Sequence, residues 1–145
     1  LAYYGLPDQV AEMIRNPETF IDTINRTDLL TYQIGVVNFA SSLQATKAGL
    51  SKANQVIGSN WLAVGDAALA LDPLSSQGMF FALYSGIRGA ETILKSKNTN
   101  QDFNQLLIAY QNKIDQVFEA NQISRRYYYT SETRFISHPF WNRWF

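Results

Sequence analysis

The sequence predicts a helix-rich α+β fold, and three observations predict it. A short apolar run, Trp61 to Val64, breaks at Gly65-Asp66, and a second break at Asp72-Pro73 leads into a helical pattern at Gly78-Met79. Two long stretches, about 78–96 and 102–131, repeat apolar residues at helical spacing. Between the N-terminal helical patterns and the 61–79 stretch, residues 30–46 are rich in β-branched and aromatic side chains.

Taken in order, residues 8–15 read as a helix with Pro7 just before it and Val10, Met13 and Ile14 on one face. Asn16-Pro17 breaks it. Glu18 to Arg26 reads as a second helix, with Pro17 at its first turn and Phe20, Ile21 and Ile24 aligned. Thr27-Asp28 ends that helix. The run containing Leu30, Tyr32, Ile34, Val36, Val37 and Phe39 predicts at least one strand at about 34–46, with Gly35 marking a bulge or turn. Lys47 to Asn60 carries two glycines, two serines and two asparagines and reads as a loop.

Trp61 to Val64 reads as a short buried strand. Ala67 and Ala68 are small enough to let a ligand lie close to the backbone, and Ser75 and Ser76 can cap. The helix from about Gly78 to Ser96 spaces Met79, Phe80, Leu83, Ile87, Ala90, Ile93 and Leu94 along it. Ala82, Gly86 and Gly89 put small residues on the same run, as close packing against a backbone or a flat ligand requires. Lys95 and Lys97 suit its C-terminus. The longest helix, Asp102 to about Ser131, carries a stripe of Phe103, Leu106, Leu107, Tyr110, Ile114, Val117, Phe118 and Asn121. The aromatic tail, Phe135 to Phe145, is interrupted by Pro139 and is expected to dock onto the domain.

Composition narrows the function classes. The chain is 46% apolar and 14% aromatic, enough to build a core. Twelve acidic and twelve basic residues cancel, which argues against a nucleic-acid binder. No apolar run approaches the roughly 20 residues of a membrane span. There is no cysteine, which removes disulfides, thiolate metal sites and cysteine nucleophiles. Leu1-Ala-Tyr-Tyr-Gly lacks the n-region and h-region of a signal peptide, so a cytoplasmic location is expected. Residue 1 is Leu, and no strand-plus-glycine unit precedes the 61–79 stretch; the chain is expected to be a piece of a longer protein.

The chemistry concentrates at 61–79. A strand end followed by helix N-termini suits an anionic or electron-rich ligand, because unmatched N–H groups and the helix dipole favour negative charge. Asp66, placed at the end of a buried strand, needs a partner; it can instead cap the Ala-rich turn. Asp72 can serve as a base or as a loop-ordering acceptor. Ser75 and Ser76 lack a nearby histidine and read as turn residues. His138, the only histidine, has no second ligand in the sequence and reads as structural or exposed. Arg125-Arg-Tyr-Tyr-Tyr129 reads as a nucleic-acid stacking patch or, with no basic excess behind it, as a packed helix end. Phe80, Phe81 and Tyr84 can line a substrate pocket or fill the core.

Gly65-Asp66-Ala67-Ala68, Asp72-Pro73 and Ser76-Gln77-Gly78-Met79 resemble the second FAD-binding motif of the flavoproteins that include aromatic hydroxylases, flavin-dependent halogenases and geranylgeranyl reductases. Trp61-Leu-Ala-Val-Gly-Asp and Asp-Pro-Leu-Ser-Ser-Gln-Gly are most similar to the halogenase-like branch, which also includes flavoproteins that help mature peptide-derived quinone cofactors. Arg125-Arg-Tyr-Tyr-Tyr, Glu132 and Pro139-Phe-Trp-Asn-Arg143 are similar to the C-terminal part of such proteins.

The resemblance implies the C-terminal portion of a two-domain FAD/NAD(P)-binding flavoprotein of the glutathione reductase type. Residues 1–50 would end a substrate-binding domain, and 51–145 would supply the C-terminal part of the FAD domain. It implies that Gly65 leaves room, that Asp66 bonds a ribityl hydroxyl, and that Pro73 lies near the flavin ring. Gln77, Gly78 and Met79 would present the helix start to the N1–C2=O edge. The implied partners are a small organic or peptide-derived substrate, and NAD(P)H or a flavin reductase as the source of electrons.

Two positions depart from the hydroxylase pattern: Phe80 stands where many carry Asn, and Leu69 where many carry His. The Gly-x-Gly-x-x-Gly that cradles the FAD pyrophosphate in this group has no counterpart in the sequence, nor can the chain display the lysine halogenases use, which belongs to that same N-terminal half. The complete protein is therefore expected to be an FAD-dependent oxidoreductase of the halogenase-like or monooxygenase-like kind, with a geranylgeranyl reductase-like dehydrogenase or a quinone-cofactor maturation flavoprotein as the alternatives. This chain alone is expected to be inactive, and the rival reading is a non-catalytic fragment that binds no flavin by itself.

Overall fold

The computed structural model describes residues 3–35, 37, 42–99 and 101–145, and the chain divides into two compact units, Leu1–Lys47 and Ala48–Phe145.

The first unit is helical. Pro7, whose missing N–H costs nothing at a helix start, opens α1 (Pro7–Arg15). The Gln9 side chain accepts a hydrogen bond from the Leu6 N–H at 3.1 Å. Asn16 closes α1, and Pro17 opens α2 (Pro17–Asn25), as the sequence predicts. Met13 and Ile24 are buried.

The predicted strand at 34–46 is not found. Asp28–Ile34 forms a third helix, α3, which ends at Gly35 with φ +69°, and residues 37 and 42–48 form no strand. The remainder of that expectation, residues 36 and 38–41, lies outside the described residues. The reason is backbone bonding: a strand needs a partner to take its N–H and C=O groups, whereas a helix satisfies them internally. Among the described residues of this unit there is no strand to pair with. Leu29 and Tyr32 of α3 stay exposed, so β-branched and aromatic content did not report burial here.

The second unit is built on an irregular hairpin covered by two helices. Strands β1 (Ser51–Lys52) and β2 (Leu69–Ala70) pair antiparallel, with Ser51 opposite Ala70 and Lys52 opposite Leu69. The pairing continues as Ala53 N–H to Ala68 O at 3.0 Å, Ala63 N–H to Val56 O at 2.8 Å, and Gly58 N–H to Trp61 O at 2.9 Å. Residues 47–60, expected as an unstructured loop, therefore include one arm of this hairpin. Trp61 to Val64 is the other arm, but it is not the buried strand expected: Trp61 is 46% and Val64 40% exposed. Between the Ala53–Ala68 and Val56–Ala63 pairs the second arm carries two extra residues. They are absorbed by a tight 3-10 turn at Gly65–Ala67.

α4 (Gly78–Asn98) lies against that turn and α5 (Phe103–Ser131) packs beside α4. The core joins Val56, Ala68, Leu69, Phe81, Tyr110 and Ile114. On α4 the buried positions are Phe81, Ser85, Gly89 and Thr92. A Cβ on Gly89 would fall 2.8 Å from Leu62 Cδ1 and 3.1 Å from Val64 Cγ1, so this glycine lets the hairpin close on the helix. Ala82 lies beside Gly65, while Gly86 has open space where a side chain would be. The larger apolar residues at 79, 80, 83, 87, 93 and 94 point away from this core and are exposed.

α5 opens on Asp102, whose side chain accepts from the Asn104 N–H at 3.0 Å. Its expected stripe is buried at Leu107, Tyr110 and Ile114 and half-buried at Phe103, Leu106, Val117, Phe118 and Asn121. Lys52 pairs with Asp115 and sits 5.3 Å from the centre of the Phe118 ring, tying the hairpin to α5. Among the described residues, no helix is long and apolar enough to cross a membrane.

Tyr110 donates its hydroxyl to the Ala63 carbonyl at 2.7 Å, pinning the hairpin to α5. Burial, with a smaller contribution from Tyr84, pushes this phenol up to about 12. The folded state favours the protonated phenol, so its contribution is intact below about 10 and is lost as pH rises through about 12. Tyr110→Phe, which leaves Ala63 O unmatched, should cost about 1–2 kcal/mol near pH 8 in urea unfolding. The gap to wild type should narrow between pH 10 and 12, and a gap that stays constant would count against this account.

Candidate functional site

The site region is shaped by a buried hydroxyl. Gly65 takes φ +57°, a conformation L side chains rarely adopt, which turns the chain at the end of the 61–64 arm. Its N–H donates to Ser85 Oγ at 2.8 Å, and Ser85 in turn donates to the Phe81 carbonyl at 2.8 Å. Ser85 is fully buried and sits one turn from Phe81 on α4. The turn is thus bolted to the helix by a polar pair inside the core.

This places Asp66 beside the first turns of α4, since Ala82, the residue nearest Gly65, lies one helical turn after Gly78. The expectation of a buried Asp66 needing a partner is not met. Its side chain is exposed, it makes no side-chain cap on the turn, and no hydrogen bond or ion pair of its carboxylate is found among the described residues. It is an unengaged acceptor at the surface.

The second half of the region is a loop ordered by Asp72. Asp72 is 8% exposed and starts the 3-10 turn Pro73–Ser75, its Oδ1 accepting from the Leu74 N–H at 3.0 Å. Of the two roles open to it, the structure places it as loop-ordering acceptor. Ser75 donates its hydroxyl to the Asp72 carbonyl at 2.8 Å and accepts from the Gln77 N–H at 3.2 Å. Ser76 adopts φ +52°, a left-handed conformation in a residue other than glycine. Neither serine side chain caps α4, against the expectation: Ser75 ties the loop to itself, and Ser76 makes the bend as the C-cap residue of the 3-10 turn.

The bend delivers the start of α4. Gln77 is its N-cap residue and makes no side-chain cap bond, and the first intrahelical bond runs from Phe81 N–H to Gln77 O at 2.8 Å. The N–H groups of Gly78, Met79 and Phe80 precede that bond, so the helix offers them outward with the positive end of its dipole. Pro73, Gln77 and Met79 are exposed, Met79 at 85%, and Gly78 is half-buried. The structure brings Gly65 and Asp66 to the side of α4 and places Gln77, Gly78 and Met79 at its start. Phe80 is exposed and stacks at 6.5 Å on the half-buried Tyr84, whereas Phe81 belongs to the core.

Residues that sequence reasoning did not connect complete the region. Tyr129 OH lies 3.3 Å from Asp72 Oδ1, and Arg125 Nη1 lies 4.0 Å from Asp72 Oδ2. Burial first, then Asp72, raises the Tyr129 phenol above its ordinary value. The tail does dock: Tyr129 stacks on Trp144 at 4.3 Å and contacts Phe140 and Trp141. Tyr127 and Tyr128 remain exposed. Glu132 is held by Arg134, whose side chain and N–H together lower its carboxyl to about 2. His138 Nδ1 accepts from the Phe140 N–H at 3.2 Å and so starts a short helix, α6 (Pro139–Asn142). Among the described residues, no group of three or more His, Asp or Glu side chains could hold a metal ion.

Among the described residues, the region offers the unpaired Asp66 carboxylate for hydroxyl donors and the unpaired N–H donors of the α4 start for a carbonyl or an anion. Those are the needs of the ribityl chain and the N1–C2=O edge of a flavin, so the residues present fit that part of FAD. No phosphate-cradling glycine loop occurs in the sequence.

Over 83 residues, 57% of the chain, the sequence is 29% identical to the protein named "Putative FAD-dependent oxidoreductase LodB" of Marinomonas mediterranea. The match spans 21% of that protein's length, about a fifth. No protein-family model matches the chain, and no solved structure matches it.

Gly65 carries a direct test of the turn. A Cβ there would meet Ala82 Cβ at 3.5 Å, an ordinary contact, so the obstacle to substitution is the backbone angle alone. Gly65→Ala should cost about 1–2 kcal/mol in chemical denaturation. Gly65→Asn should recover part of this, because Asn tolerates the left-handed region. Equal losses in both variants would mean that space, not φ, limits the position.

Proposed function

We propose that this chain is the C-terminal part of an FAD-dependent oxidoreductase and supplies the ribityl and isoalloxazine side of its flavin site. The observation that carries this reading is the pairing of an unengaged Asp66, beside the left-handed Gly65, with the uncapped start of α4. The partial similarity to an FAD-dependent oxidoreductase supports the same class.

When bound, the flavin supplies the redox chemistry. The residues of this chain bind and orient it. Asp66 accepts from ribityl hydroxyls, and Gly65 keeps the backbone close without a side chain in the way. Pro73 borders the ring with a face that donates no hydrogen bond. The N–H groups of Gly78 and Met79, with Gln77 before them, meet the N1–C2=O edge and favour negative charge on it. Phe80 and Tyr84 extend an aromatic surface from the same helix start.

Within this class we favour a halogenase-like or monooxygenase-like protein acting on a small organic or peptide-derived substrate, on the pattern Trp61-Leu-Ala-Val-Gly-Asp66 with Asp72-Pro-Leu-Ser-Ser-Gln-Gly78. Residues 1–50 would end its substrate-binding domain. NAD(P)H or a flavin reductase would provide electrons.

Flavin retention tests the reading. In the longer protein carrying this chain, Asp66→Ala should weaken FAD retention by about 10–100-fold, the size of a hydrogen bond to a charged group. Unchanged flavin content after gel filtration would remove Asp66 from the site. The 145-residue chain alone should retain no FAD; stoichiometric yellow protein would show that the site is complete within it.

A further inference from the structure

The carboxylate of Asp72 joins the loop leading into α4 to the far end of α5. Its Oδ1 accepts from the Leu74 N–H at 3.0 Å inside the loop, and the Tyr129 hydroxyl reaches the same oxygen at 3.3 Å. Its Oδ2 faces Arg125 Nη1 at 4.0 Å. Both α5 residues are themselves gripped by the C-terminal segment. Trp144 lies flat on Tyr129, 4.3 Å between ring centres and 6° between planes. The guanidinium groups of Arg125 and Arg143 lie 4.9 and 5.1 Å from the Trp144 ring. Among the described residues the buried Arg125 Nε has no hydrogen-bond partner, and stacking and the Asp72 charge hold this side chain.

The loop needs holding. Ser76 sits at φ +52°, a strained conformation for a residue with a Cβ that persists only where the surroundings impose it. The bonds local to the loop, Ser75 to Asp72 and Gln77 to Ser75, tie it only to itself. Tyr129 and Arg125 tie it to the body of the unit.

We propose that Tyr129 and Arg125 are positioning residues that act through Asp72 on the Pro73–Ser76 loop, with the C-terminal aromatic segment as the clamp that keeps them in place. The clamp sets the direction in which the N–H groups of Gly78 and Met79 are presented. That those groups meet a flavin rests on the function proposed above; the clamp itself concerns only the loop.

Amide hydrogen exchange on the 145-residue chain separates the two. Tyr129→Phe removes one hydroxyl and keeps the ring, and it should speed exchange at Leu74 to Gln77, whose N–H groups are bonded within the loop, about tenfold while Tyr110 and Ile114 keep wild-type rates. Trp144→Ala should do the same, and Trp144→Phe, which preserves stacking, should restore most of the protection. Loop rates unchanged in both Tyr129→Phe and Trp144→Ala would overturn the clamp. So would equal acceleration of the loop and of Tyr110 and Ile114, because the tail would then support the whole unit and not the loop. In the longer protein, faster loop exchange with unaltered flavin retention would support the clamp while removing this loop from the flavin site.

Discussion

One buried hydrogen bond, Gly65 N–H to Ser85 Oγ, holds the second unit's parts in register. A polar group inside a core is costly unless matched, and here each side matches the other. The turn has an N–H that no hairpin partner takes, because the two extra residues of the 61–70 arm interrupt the pairing. The helix has a serine that already returns its proton to Phe81 and has a lone pair to spare. Placing the orphan against the spare fixes where the turn sits on α4, and therefore where Asp66 sits relative to the helix start.

Small residues make that bond reachable. Ala82, Ser85 and Gly89 line the face of α4 that meets the hairpin, and at Gly89 even a methyl group would collide with Leu62. The core then has to be filled from elsewhere. Phe81 and the α5 residues Leu107, Tyr110 and Ile114 supply the bulk, while Tyr110 adds a second polar tie, to Ala63. The hairpin arm 61–64 is thus held by side chains from two helices on one side.

Helices α1, α2, α4 and α5 were legible because their signals are local, whereas α3 was not. Pro7, Asn16-Pro17, Asp102 and the apolar spacing of α5 each act within a turn or two of themselves. The turn at Gly65-Asp66 was legible for the same reason, and so was the helix start at Gly78. What could not be read depended on partners. Whether 34–46 is a strand depends on finding another strand, and whether 51–58 is a loop depends on the arm that comes back at 61–70. The same limit applies at the site. Asp72 reads as a turn residue from its neighbours, and nothing local points to Tyr129, 57 positions away. Ser85 carried a faint signal, a small polar residue spaced four from Phe81 and four from Gly89. Asp66 was misjudged in one respect, since its expected burial followed from a strand that turned out to be half-exposed.

α4 ends up wearing its chemistry inside out. Beside Phe81, the face toward its own core carries a serine, a glycine and a threonine, and the face toward water carries Met79, Leu83 and Ile87 in successive turns and Leu94 two turns on. First-shell water along such a line of hydrocarbon is restricted in orientation, so covering the line releases it at no cost in folding. For the isolated chain this makes colloidal behaviour, and not the stability of the fold, the property that sets how concentrated a clear solution can be.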